Sequence, residues 1–217
     1  MGILDLFGSR ESREQASLKK LGQKITQKWG PAENRQKAIE QLGEMGTPAA
    51  LATLCLRFTV RAEVGITDDE EKEQVRAMLV AAGPKALEPV REFLAAQESG
   101  VAWGLRVLAS LASQEEVVGT VHALLQKLGR EYTRDPEKKL VLLAWLREHP
   151  ELAAVTPASG PARDEALLPL LEDFVDDVRI GAVQVLVQGA PGDATREALI
   201  ALLLRDRDNA RVRGEVL

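Results

Sequence analysis

The stretch Gly43-Glu44-Met45-Gly46-Thr47 has the glycine density of a loop that could cradle a phosphate through its backbone N–H groups. It lacks the Gly-Lys-Ser/Thr ending of a P-loop. The residues before it (Ala38, Ile39, Leu42, Met45) follow helical rather than strand spacing. Gly46 therefore suits the residue that ends one helix, and Thr47-Pro48 suits the start of the next. His122, within "VVGTVHALLQKL", sits in an apolar helix and reads as a packing residue. Glu148-His149-Pro150-Glu151 offers metal-donor atoms, but neighbours in a loop rarely converge on one ion without a third ligand nearby.

Cys55 is the single cysteine, which excludes an internal disulfide and a cysteine-rich zinc site. Flanked by Leu51, Leu54 and Leu56, it reads as a small buried hydrophobe. No Ser-His-Asp or Cys-His arrangement can be argued, and 33 Asp and Glu are too many for one acid/base couple to stand out. The sequence assigns no catalytic, cofactor-binding or metal-binding residue, and the chain reads as a non-enzyme.

Two features point to binding instead. In 101–112 the main apolar stripe is Val101, Leu105, Leu108 and Ala112, with Trp103 and Val107 roughly opposite. In 136–147 the stripe is Leu142, Leu143 and Leu146, widened by Val141 and Trp145. Helices buried on two sides account for both patterns. A docking strip of Trp103, Arg106 and Trp145 is the sharper reading, since exposed Trp with Arg makes good anchor material. The second feature is the N-terminus, where Ile3, Leu4, Leu6 and Phe7 form an apolar tip. Leu18, Leu21, Ile25 and Trp29 follow at helical spacing, among Lys19, Lys20 and Lys24. Such a segment can cap a helical array, dock on another protein, or lie on an anionic membrane surface. Myristoylation is not supported, because Leu6 stands where that motif wants Ser or Thr.

The elements that must position these residues are helices. Only 4% of residues are aromatic, and β-branched residues rarely alternate with polar ones. Proline follows a plausible cap at Gly30-Pro31, Thr47-Pro48, Gly83-Pro84, Asp135-Pro136 and Gly160-Pro161. Thr67-x-x-Glu70 and Ser113-x-x-Glu116 read as capping boxes. Two connections, 57–70 and 148–161, are longer than a tight hairpin needs, so each is expected to be functional or disordered. No apolar run approaches the roughly 20 residues that span a bilayer, so a cytoplasmic location is the default expectation.

Charge is unevenly spread. Residues 1–30 hold six basic groups against Asp5, Glu11 and Glu14, a net +3, which leaves −8 of the total −5 for the remainder. An acidic body disfavours nucleic acid and favours a protein partner with a basic surface.

The chain also repeats itself. Shifted by 36 residues, 33–56 falls on 69–92: Ile39 on Val75, Leu42 on Met78, Pro48 on Pro84, Leu51 on Leu87 and Leu54 on Val90. Starting points near 33, 69, 101, 136, 177 and 209 step by about 32–40 residues, the period of helical-hairpin arrays. In "LLPLLEDFVDDVRIGAVQVL" (167–186) a helix with an internal proline leads to an acidic turn and then Val-Arg. The residues that carry this pattern are Pro169, Leu170, Asp176, Val178, Arg179, Ala182 and Leu186. It returns in 199–217 at Leu203, Asp206, Asp208, Val212 and Arg213, and Pro89 occupies the place of Pro169. The chain thereby resembles the HEAT-repeat family over roughly 33–217.

The resemblance implies an all-α, curved α-solenoid of about five to six stacked hairpins, a HEAT-like superhelix, over 31–217, with 1–30 as a basic arm or capping helix. Asp176 or Asp177 with Arg179, and Asp208 with Arg213, would pair from unit to unit. Arg179 is also a candidate partner contact. The helix opening at Asn209 is unfinished at Leu217, so either a short helix closes the array or the array continues. The expected function is a non-catalytic protein-interaction scaffold or adaptor that binds its partner along the concave face. The alternatives are a nucleic-acid-acting or lyase-type enzyme, since some HEAT-like proteins are DNA-base glycosylases and others resemble bilin lyases, or a membrane-peripheral adaptor using the arm.

Overall fold

Apolar residues at i, i+3, i+4 and i+7 need a second helix to cover them, and the chain supplies one after nearly every corner. A computed structural model describes residues 3–63, 65–188 and 191–216, with side-chain surroundings from Ser12 onward. Among these residues there are twelve α-helices and no strand. The chain divides into two compact units, Met1–Leu111 and Ala112–Leu217.

The first unit holds α1 (Ile3–Ile25), α2 (Ala32–Met45), α3 (Pro48–Cys55), α4 (Gly65–Ala81), α5 (Leu87–Ala96) and α6 (Val101–Leu111). Alternate helices pack on one another: α3 lies against α1 and α5, and α4 against α2 and α6. Ile39, Leu42, Leu54, Leu79, Leu94 and Leu105 are all fully buried between these two layers. Each such side chain contributes roughly 1.5–3 kcal/mol of burial. The lower half of α1 belongs to this core, because Leu21 and Ile25 are buried and Gly22 meets Thr53 of α3. Lys19 and Lys20 point to solvent and Lys24 is half-buried. Ile3, Leu4 and Phe7 fall in the helix, but their side chains lie outside the described residues. Trp29 falls beyond the end of α1 and is 69% exposed, so the helical stripe expected to include it stops at Ile25.

The second unit holds α7 (Gln114–Leu128), α8 (Glu137–Glu148), α9 (Arg163–Leu167), α10 (Asp176–Val187), α11 (Asp193–Arg205) and α12 (Ala210–Val216). A 3-10 segment, Leu168–Glu172, which contains Pro169 in its first turn, continues α9. Here too alternate helices associate: α7 packs on α9, α8 on α10, and α10 on α12.

The corners form as their residues dictate. Gly46 takes the left-handed φ of 54° that ends α2, and its N–H donates to Leu42 O at 3.3 Å. Thr47 Oγ1 accepts from Ala50 N–H at 3.3 Å with Pro48 in the first turn of α3. Ser113 and Glu116 make the expected reciprocal box at the start of α7. The Thr67 box does not form, because α4 already begins at Gly65 and Thr67 lies inside it. The loop before that helix is held instead by the Asp68 carboxylate, which accepts from Ala62 N–H at 2.8 Å.

Candidate functional site

One arrangement recurs through both units: a cation stands at the head of a buried apolar stripe. In α2 Arg35 precedes Ala38, Ile39 and Leu42; in α8 Lys139 precedes Leu142, Leu143 and Leu146; in α10 Arg179 precedes Ala182, Val183 and Leu186. The spacing i, i+3, i+4, i+7 puts each cation on the core-facing side, where a charge must find a partner. Each finds a carboxylate about one hairpin further along the chain. Arg35 Nε donates to Glu71 at 3.0 Å, 36 residues on. Lys139 Nζ donates to Asp173 at 2.6 Å, 34 residues on, and Arg179 Nε to Asp206 at 2.8 Å, 27 residues on. Just before α12, Asn209 stands in that place and donates to Asp176 at 2.7 Å, while Val212 is buried below it.

In the first unit the pairing grows into a five-charge cluster. Arg57 is fully buried and donates to Glu71 at 2.9 Å, to Asp68 at 2.6 Å and to Val60 O at 3.0 Å. Lys72 Nζ reaches the other Asp68 oxygen at 2.6 Å. Burial alone raises the Asp68 carboxyl's pKa. The bonds from Ala62 N–H, Lys72 and Arg57, with the Arg57 charge, outweigh it and hold the group below the usual range. The cluster ties the start of α2 and the 3-10 turn Leu56–Thr59 to α4, which gives residues 57–63 their fixed course. Among the described residues no buried side-chain nitrogen or oxygen lacks a partner.

The residues that could do chemistry are engaged in the same way. Burial pushes the Cys55 thiol up to about 12, which leaves it protonated at neutral pH. His122 is buried, and its Nδ1 lies 3.2 Å from Pro161 O. A carbonyl can only accept, so Nδ1 carries the proton. Burial lowers this ring's pKa against the opposing Pro161 bond, and the Arg163 charge lowers it further. His149 Nδ1 meets Glu151 at 3.0 Å, and its ring lies 4.6 Å from that of Trp145. No group of three His, Cys, Asp or Glu side chains converges among the described residues. None of the described helices is long and apolar enough to cross a membrane.

Of the proposed anchors, Trp103 is half-buried in the first unit. Its ring stacks on Phe58 at 5.8 Å, Phe58 meets Phe93 edge-on at 5.9 Å, and the Arg106 guanidinium covers Trp103 at 4.9 Å. Trp145 is half-buried in the second unit. Arg179 has its donors taken within the fold, by Asp206, by Asp176 at 2.7 Å and by Asp173 O at 2.7 Å. The expected Asp208–Arg213 pair is absent: Asp208 lies 3.6 Å from Arg207, and Arg213 donates to Arg207 O. One step along the helix from buried Val212, Arg213 is turned about 100° away from the core. The cation stripe was missed from the sequence, although Arg35 and Lys139 in core register were its signal.

The glycine-rich corner opens on solvent. Gly43, Glu44 and Gly46 line a cleft of about 600 Å³ with Glu40, Leu51 and Met78. A phosphate there would meet two carboxylates against one cation, Lys85.

No protein-family model matches the chain, and the searches of curated proteins and of solved structures return no significant match.

Proposed function

We propose that the chain is a helical-repeat protein of the HEAT type, its hairpins stacked as a curved solenoid, which acts without catalysis as a scaffold or adaptor for a partner protein. The observation that carries this reading is the cation at the head of the α2, α8 and α10 stripes. Arg35, Lys139 and Arg179 each reach a carboxylate 27–36 residues on, which is the spacing at which one hairpin would latch to the next. Alternate helices pack on each other within both units, as stacked hairpins require. Arg35, Glu71, Lys139 and Asp173 are buried in that latching, and charged side chains on the exposed helix faces are left to meet a partner.

Chemical crosslinking of the full chain in an extract of its native host, read by mass spectrometry, tests the reading. The expected result is a small, reproducible set of proteins joined to exposed helix faces and lost when the chain is unfolded beforehand. Capture no greater than that of the unfolded chain would overturn it.

A further inference from the structure

We infer that the groove between α2 and α4 seats a basic amphipathic segment of the partner. This deepens the scaffold reading and rests on it. The floor of the roughly 600 Å³ cleft is apolar, built from Leu51, Met78, Ala81 and Ala82, and its rim carries Glu40 and Glu44. A second depression of about 350 Å³ between the same helices is bordered by Glu33 and Glu70. Among the described residues no salt bridge reaches any of these four carboxylates. Glu40 accepts one neutral bond, from Gln36 at 2.8 Å. Lys85 also lines the cleft, and Lys37 lies on the exposed side of α2.

Glu40 and Glu44 are one turn apart on α2, a like-charge spacing that costs stability unless a cation intervenes. The matching groove between α8 and α10 is different. Its rim is crosslinked by Arg147 of α8, which donates to Gln184 of α10 at 3.0 Å, and its Asp177 already accepts from Arg211 of α12. In the α2–α4 groove no cation of the described chain pairs with the rim carboxylates. A partner that supplies lysines or arginines to the rim and apolar side chains to the floor complements both parts. A small polyamine would satisfy the rim alone.

Gly43 keeps the groove open. A Cβ there would stand 3.0 Å from Met78 Sδ, so an alanine must displace that flexible thioether and reshape the floor.

The probe is a fluorescein-labelled leucine/lysine peptide of about 14 residues with leucines at helical spacing, about 20 Å long as a helix. Anisotropy with the full chain in about 50 mM salt is expected to give a Kd of about 50 µM or tighter. Glu40→Lys/Glu44→Lys should weaken it by about tenfold or more, and Gly43→Ala severalfold. Glu88→Lys/Glu92→Lys, on exposed positions of α5, changes net charge equally and should leave affinity within about twofold. Serine in place of the leucines should cost about tenfold, and spermine should compete only weakly. Circular dichroism confirms that each variant is folded. Equal losses in the two double variants, unchanged binding of the serine peptide, or no binding at all would overturn the groove assignment. None of these results touches the scaffold reading, which host-extract crosslinking decides separately.

Discussion

Glu71 accepts two guanidinium groups at once: Arg35 Nε at 3.0 Å from α2, and Arg57 Nε at 2.9 Å from the turn after α3. All three side chains are at most 5% exposed. Removing the shared acceptor strands two buried cations. Glu71→Ala should therefore lower unfolding free energy by about 3–5 kcal/mol, whereas Glu33→Ala, on the exposed rim of the same helix pair, should leave the urea midpoint unchanged. A Glu71→Ala loss below about 1 kcal/mol would show that the cluster is not a structural joint.

His122 sets a pH dependence whose sign is fixed by its burial. Its folded pKa lies below the ordinary 6.5. Between these two values the unfolded chain binds more protons, so stability is full above about pH 6.5 and falls as the pH drops toward the folded value. The slope contributed is at most about 1.4 kcal/mol per pH unit. In His122→Gln, which keeps a donor for Pro161 O, the loss of urea stability between pH 7 and pH 5 should shrink. An unchanged slope would contradict the assignment.

Cys55 should be inert in the folded chain. With its thiol moved from 9.0 to about 12, the thiolate fraction at pH 8 falls by roughly a thousandfold. Iodoacetamide labelling should track global unfolding in urea. Stoichiometric labelling of the native protein within minutes would place the thiol at the surface.

Gly119 marks where the 148–161 connection is strapped to α7. A Cβ at this position would lie 2.3 Å from Ser159 O, and Ala158 N–H donates to Glu115 O at 3.0 Å alongside. Gly119→Ala should destabilise by about 2–3 kcal/mol, because backbone, not a flexible side chain, blocks it. Gly214→Ala, with open space around it in α12, should stabilise slightly, by about 0.5–1 kcal/mol. Similar midpoints for the two variants would contradict the close approach.

The helices and their corners could be read from the sequence because local rules govern them. Gly46, Thr47-Pro48 and Ser113 with Glu116 behave as their residue types require. Thr67 misled for the opposite reason: Asp68 is drawn into contact with Arg57 and Ala62, and a tertiary contact outranks a local cap. The long connections 57–70 and 148–161 looked functional or disordered, yet their described residues are fixed by partners far along the chain or on another helix. Arg57 finds Glu71, and Pro161 O finds His122. Contacts made across 14–39 residues leave little trace in a local pattern. The trace they do leave is a cation such as Arg35 or Lys139 in core register. The groove was legible only as a corner, since its floor joins Leu51 of α3 to Met78 of α4.

Whether these hairpins stack as an array, as proposed, is decided by small-angle X-ray scattering of the full chain. A compact domain of 217 residues has a radius of gyration of about 17 Å. Five to six hairpins stacked at about 9 Å each should give roughly 20 Å. A concentration-independent value near 20 Å is the predicted result, and one at or below about 17 Å would contradict the array.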